Sequence, residues 1–299
     1  MIRRLVFALA CSLLLHPTVL RAAEERAFNS NGVKIQYLVE GKGEPVMLVH
    51  GFLVNKDIQW GLPGIIKTLA KDYRVIALDC RGHGKSDKPT DPKKYGREMV
   101  EDIVRLLDHL RIKKAHVVGY SMGAVITAKL IVTHPDRLLS ATLGGAGAYR
   151  EGTEPPRFIL DLIDSLEQGK GIGPLLVALT PAGKPKPTPE QIDQLNRLLV
   201  GNRGKSLAAV IRGYKELAVT DEQLKANKVP TLALIGEIDP LKATVDDIKD
   251  RMSGLQVVEI EKADHFSAFA DPKFTRSLQK FLAEHRQKAK QRVPAGVGK

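Results

Sequence analysis

Cysteine is nearly absent. The chain of 299 residues carries two, Cys11 and Cys80. Cys11 lies in an N-terminal stretch that reads as a removable leader, so the mature chain keeps a single thiol and no internal disulfide can form in an oxidising compartment. Stability must come from a packed apolar core, which a chain of this length can build. Past the leader no apolar run suits a membrane span. Zinc-finger spacing, an RNA-binding aromatic motif and a basic helix with heptads are also missing, which excludes the familiar nucleic-acid readers. So are a zinc-protease histidine pair and any ligand cluster. There are no internal repeats and no long low-complexity tracts.

What is present begins with the leader itself. "MIRR" is basic, "LVFALACSLLLHPTVL" is apolar and "RAA" is a small-residue end, the pattern of a secretory signal peptide over residues 1–23. The apolar stretch sits near the lower limit for a span and is interrupted by His16 and Pro17, which favours cleavage over anchoring. Cleavage after Ala22 puts Leu20 at the minus-three position, and cleavage after Ala23 puts Arg21 there. The implied location is periplasmic or secreted. The formal net charge of +12 is scattered, with one concentration in the tail "HRQKAKQRVPAGVGK". Residues 286–299 are expected to form a disordered basic end that either solubilises the chain or touches anionic surfaces.

Short β-branched runs alternate with helical patterns, which predicts a doubly wound, mainly parallel α/β sheet. "VKIQYLVEG" alternates and is expected at the sheet edge. "PVMLVH", "YRVIALD", "AHVVGY", "LLSATLGG", "PTLALIG" and "LQVVEIE" are more continuously apolar, as strands buried on both faces are. "REMVEDIVRLLDHLRI" sets Met99, Ile103, Leu106, Leu107 and Leu110 on one helical face. "DPKFTRSLQKFLAEH" starts with Asp271 as N-cap and Pro272 behind it. The alternation stops over residues 149–228, where helical periodicity predicts a lid inserted between two core parts, 24–148 and 229–285. Within that segment Thr188 and Gln191 form a capping-box pattern. "PAGKPKPTP" is expected to be an exposed connector.

Gly119, Tyr120, Ser121, Met122 and Gly123 match G-x-S-x-G, a strand-to-helix turn so tight that side chains at its first and last positions would clash. The turn joins a buried-type strand to "AVITAKLIV", and so presents Ser121 at the N-terminus of a helix, where developing negative charge is favoured. A serine hydroxyl is a poor nucleophile without a base, so a histidine and a carboxylate are needed at later strand ends. Asp239 follows "PTLALIGEI" and His265 follows "VVEIEKAD", giving the order serine, acid, histidine. Asp239 has a second reading as the cap of the helix after Pro240. Glu237 is the fallback acid. Asp264 is a poor one because adjacent side chains diverge.

Among the other histidines, His16 leaves with the leader, His109 and His285 fall on polar helix faces, His116 enters a strand early, and His134 ends the helix after the turn. His83, in "DCRGHGKSD", is a pocket neighbour by position. His50 ends the strand "VMLVHGF" and buttresses the loop that follows. Backbone N–H groups of Phe52 and Met122 are expected to form the oxyanion hole.

The blocks "VHGF", "DCRGHGKSD", "GYSMG", "GEIDP" and "ADHF" stand in the order typical of the α/β-hydrolase superfamily, which the chain resembles from about Val33 to His285. The resemblance implies an eight-stranded sheet with a lid after the sixth strand, and a nucleophile, acid and histidine at Ser121, Asp239 and His265. "DCRGHGKSD" resembles the family's D-x-R-G-x-G-x-S loop. Asp79 stands where a phosphate-binding loop needs glycine, which speaks against nucleotide binding. Serine at 121 argues against the aspartate-nucleophile dehalogenases and epoxide hydrolases.

The expected function is therefore serine hydrolysis of a carboxylic ester or related small-molecule acyl substrate, with no metal or organic cofactor. Alternatives are C–C bond hydrolysis or perhydrolysis by the same three side chains, and non-catalytic binding of a hydrophobic ligand. Phe158, Ile159, Leu162, Leu175, Leu176 and Val177 either line an acyl pocket or simply pack against the core.

Overall fold

The computed structural model describes residues 24–287. The leader expected over residues 1–23 and the last twelve residues of the chain lie outside the described residues. Eight strands, β1 Glu24–Ser30, β2 Val33–Glu40, β3 Glu44–Val49, β4 Tyr73–Leu78, β5 Ala115–Tyr120, β6 Leu138–Gly144, β7 Thr231–Gly236 and β8 Leu255–Ile260, form one sheet. Its order is β1-β2-β4-β3-β5-β6-β7-β8, with β1–β2 and β2–β4 antiparallel and every other pair parallel. The central strands β5 and β7 are buried at every position, as their unbroken apolar runs require.

The alternating segment "VKIQYLVE" is a strand with a partly buried face, but it is not the outermost one. That place belongs to β1, whose polar sequence "EERAFNS" hides its strand character. The hairpin between them turns on Asn31 and Gly32, both at positive φ (54° and 80°), the dipeptide that suits a right-twisted hairpin.

The α-helices are α1 Ile65–Leu69, α2 Arg97–His109, α3 Met122–Thr133, α4 Arg157–Glu167, α5 Gly173–Ala178, α6 Pro189–Leu195, α7 Gly204–Gly213, α8 Asp221–Lys225, α9 Lys242–Lys249 and α10 Pro272–Glu284, and those outside the β6–β7 connection cover the two faces of the sheet. The predicted inward face of α2 buries Met99, Ile103, Leu106 and Leu107. Asp271 caps α10 by accepting the Lys273 N–H, and Phe274, Leu278, Phe281 and Leu282 are buried beneath it. Helices α2 and α3 close one apolar core against the sheet, and α1 and α10 close the other.

Between β6 and β7 the chain runs through α4 to α8. This helical insertion has a small core of its own, including Leu162, Leu166, Ile172, Leu176, Leu207 and Ile211. Thr188 and Gln191 make the predicted capping box, and Thr220 and Gln223 make a second one at α8. One isolated parallel bridge, Arg150 to Val219, ties the two ends of the insertion together. At the last described residues Arg286 lies over the Tyr73 ring, 5.2 Å from its centroid, and the Gln287 N–H donates to Glu44.

Candidate active site

Ser121 sits between β5 and α3 with φ 53° and ψ −113°, a conformation that costs a non-glycine residue roughly 1–3 kcal/mol. The neighbouring glycines make this turn feasible. A Cβ on Gly119 would fall 2.0 Å from the Gly123 carbonyl oxygen, and a Cβ on Gly123 would fall 2.1 Å from the Val49 carbonyl oxygen. The Ser121 N–H donates to Gly144 O at 2.7 Å, so the strained residue is pinned to the adjacent strand.

The loops after β7 and β8 bring the two partners to it. His265 Nε2 lies 3.0 Å from Ser121 Oγ, and His265 Nδ1 lies 2.8 Å from Asp239 Oδ2. His265 and Asp239 are both buried, whereas Ser121 is half-buried. The other Asp239 oxygen, Oδ1, accepts the Leu241 N–H at 2.8 Å and closes a local turn; it does not cap α9, whose N-cap is Leu241 and carries no side-chain cap bond, so the second reading of Asp239 is not met. One carboxylate thus closes its own turn with one oxygen and orients the imidazole with the other. Glu237 instead accepts the Lys262 N–H. Asp264 folds back on its own loop, accepting from the N–H groups of Phe266 and Ser267 and from the Ser267 hydroxyl. Burial works to raise its pKa, but these bonds prevail and hold it below the usual carboxylate value.

Tyr120 has a part that its sequence position does not announce. Its hydroxyl donates to His265 O at 2.7 Å and its ring packs against the imidazole, centroid to centroid 5.5 Å. Burial pushes the phenol well above its ordinary pKa, so it stays a neutral donor.

Phe52 and Met122 both line the cavity that contains Ser121. Their backbone N–H groups donate to no acceptor among the described residues. The Phe52 amide is oriented by its neighbours. His50 Nε2 accepts the Cys80 N–H at 2.9 Å, so the neutral ring carries its proton on Nδ1 and donates to Gly51 O at 2.7 Å. Gly51 C=O and Phe52 N–H belong to one trans peptide and point in opposite directions, so anchoring the carbonyl fixes the amide. The Gly51 N–H is taken by Gln59 Oε1 at 3.3 Å. Gln59 was not singled out by sequence; the only available signal was an amide side chain in an apolar-flanked turn eight residues past the glycine.

His83 is buried and does not line the cavity. It lies behind the loop, edge-on to Phe52 (5.6 Å) and His50 (5.3 Å). Burial holds the His50 ring below the ordinary histidine value and the His83 ring well below it. The remaining histidines pack or bond elsewhere: His116 to Ser140, His134 to Thr133, His109 on Phe28 and His285 on Phe281. Of the six apolar insertion residues, Phe158, Ile159, Leu162 and Leu175 line the cavity; Leu176 and Val177 do not. Among the described residues no group of three or more His, Cys, Asp or Glu side chains is placed to hold a metal ion. No helix among them is long and apolar enough to cross a membrane.

A family model for the alpha/beta hydrolase fold matches residues 44–170. The chain is 33% identical over 162 residues to the 2-hydroxy-6-oxo-6-(2'-aminophenyl)hexa-2,4-dienoic acid hydrolase of Metapseudomonas resinovorans, a match over 53% of this chain and 54% of that protein. It therefore spans about half the length of that relative. It is 26% identical over 253 residues to the pimeloyl-[acyl-carrier protein] methyl ester esterase of Aeromonas hydrophila, covering 81% of this chain and 96% of the esterase. Among solved structures, the enol-lactonase from Burkholderia xenovorans LB400 superposes with a TM-score of 0.70 at 21% identity, over 86% of this chain and all of that one, a likeness of fold. Strand order, family model and solved structures agree on the fold: the chain has the α/β-hydrolase fold.

Proposed function

We propose that the protein is a serine hydrolase that cleaves a carboxylic ester or related acyl bond through an acyl-enzyme. The reading rests on one observation above all, the His265 ring lying within hydrogen-bond reach of both the Ser121 hydroxyl and the Asp239 carboxylate. Ser121 Oγ attacks the carbonyl carbon while His265 Nε2 takes its proton, and Asp239 keeps the imidazole in the tautomer that accepts at Nε2. The Phe52 and Met122 amides hold the oxyanion, each worth roughly 3 kcal/mol in the transition state. The alcohol departs with the proton from His265, and water then repeats the cycle on the acyl-enzyme to release the acid. The helical insertion serves as the lid over this chemistry. The leader directs the chain out of the cytoplasm, to the periplasm or beyond, and is removed.

Similarity to the pimeloyl methyl ester esterase over most of both chains supports ester cleavage. C–C bond hydrolysis is the second reading, favoured by similarity to the dienoic acid hydrolase and to the 2-hydroxymuconate semialdehyde hydrolase of a Pseudomonas. Purified protein is expected to turn over nitrophenyl butyrate, and Ser121→Ala to lose about 10⁶-fold in kcat. Undiminished turnover by that variant would remove the assignment.

A further inference from the structure

The cavity beside Ser121 has a volume of about 620 Å³. That lies within the range of pockets that hold a drug-sized ligand, far more than an acetyl ester needs. Met122 and Val125 line it from the sheet side, and Phe158, Ile159, Leu162 and Leu175 from the insertion. Charged side chains reach it at Asp91, Lys93, Arg212 and Lys215, and all four are exposed, which puts the charges where the cavity meets solvent. Arg212 is further occupied by a two-pronged bond to Glu167.

The neutral polar groups of the lining are few and mostly spoken for. Thr244 Oγ1 donates to Leu241 O and accepts the Gly147 N–H, and the Tyr149 hydroxyl donates to Thr153 O. Tyr214, its phenol pushed up by burial, stays uncharged. An ionised group carried past these charged residues into the apolar part of the cavity would lose its hydration and meet no opposite charge, the costliest kind of burial. An apolar chain would exchange water for hydrocarbon contact along its whole length.

We propose that the substrate is an amphiphilic ester, with an uncharged chain of about eight carbons lying in the cavity and any ionised part held at the mouth. This inference rests on the ester-hydrolase reading and narrows it to one substrate class. Each buried methylene should raise kcat/KM about fourfold, the equivalent of about 0.8 kcal/mol.

The test is initial-rate acid release by the full chain from ethyl acetate, ethyl octanoate and octyl acetate, the last two separating a chain on the acyl side from one on the alcohol side. At least one long isomer is expected to exceed ethyl acetate by 100-fold or more in kcat/KM. The ω-carboxylate analogue of the faster isomer, monoethyl suberate or 8-acetoxyoctanoate, should lose at least tenfold of that gain. Ile159→Asp, which sets a charge on the cavity wall, should lower the long-to-short ratio at least tenfold. A profile flat to within twofold, or a carboxylate analogue as good as its parent, would overturn the inference and leave the hydrolase reading standing. No turnover of any of these esters, or of nitrophenyl butyrate, would overturn both.

Discussion

Two regions face each other across the cavity, and they are built on different rules. On the sheet side, position is fixed by polar bonds and backbone contact: a serine at positive φ, glycines with no room for a Cβ, and a histidine held at both nitrogens. On the insertion side the cavity wall is mostly aliphatic, drawn from α4 and α5, and the side chains are fixed by packing alone. On the proposed function, the reaction is governed by directional contacts, which tolerate little change. Substrate choice is written in shape and polarity, which can drift without loss of fold.

The sharpest test of that division is Asp239→Asn. The amide oxygen can still accept the Leu241 N–H, but the second position no longer holds the imidazole in its working tautomer. Ester turnover should fall about 10⁴-fold while the melting temperature stays within a few degrees. Comparable losses of both would place Asp239 among structural residues. Next comes Gly123→Ala, which forces a methyl group against the Val49 and His50 carbonyls. It should cost about 3 kcal/mol or more, read as a melting temperature lower by about 10 °C. Ala at an aliphatic insertion position such as Val177 should change it far less, and equal effects would erase the contrast.

A smaller effect is expected where the sheet side acts indirectly. Gln59→Leu releases the Gly51 N–H and loosens the His50–Gly51 peptide, the one next to the peptide that carries the Phe52 amide. kcat should drop by roughly 10- to 100-fold with KM within threefold, and affinity for a trifluoromethyl ketone should fall in parallel with kcat/KM. Lower activity with unchanged affinity for that transition-state mimic would mean Gln59 merely supports the fold.

The smallest effect concerns acid. His50 and His83 are buried on the sheet side, and burial depresses both from the ordinary value of 6.5. As pH falls below about 6.5 the unfolded chain takes up these protons while the folded one resists, so stability present above that value declines beneath it. Residues 149–228 contain no histidine, so the insertion adds nothing to this dependence. Calorimetry should show the melting temperature falling from pH 7.5 to 5.5, at roughly 2–4 °C per kcal/mol lost. A level profile would mean the two rings titrate normally.

Legibility in the sequence followed the same division. Gly119, Ser121 and Gly123 were readable because backbone geometry allows so few residues there, and Asp239 and His265 because they follow strand ends in the required order. The capping box at Thr188 and the N-cap at Asp271 are local hydrogen bonds, so a few residues suffice to specify them. Strand β1 escaped detection because an edge strand paired on one side needs no apolar run. Gln59 and Tyr120 escaped because their partners, Gly51 and His265, are chosen by tertiary approach. The cavity wall was half-readable: Ile159 and Leu175 line it while Leu176 turns into the insertion's own core, a distinction that periodicity in a short helix does not make.

On the proposed function, the Ser121 hydroxyl is a nucleophile made reactive by the His265 ring. Incubating the full chain with a fluorophosphonate and mapping the adduct by peptide mass spectrometry tests it most directly. One adduct is expected, on the peptide bearing Ser121, together with its loss in His265→Ala. An adduct on another residue, or labelling at an undiminished rate in that variant, would contradict it.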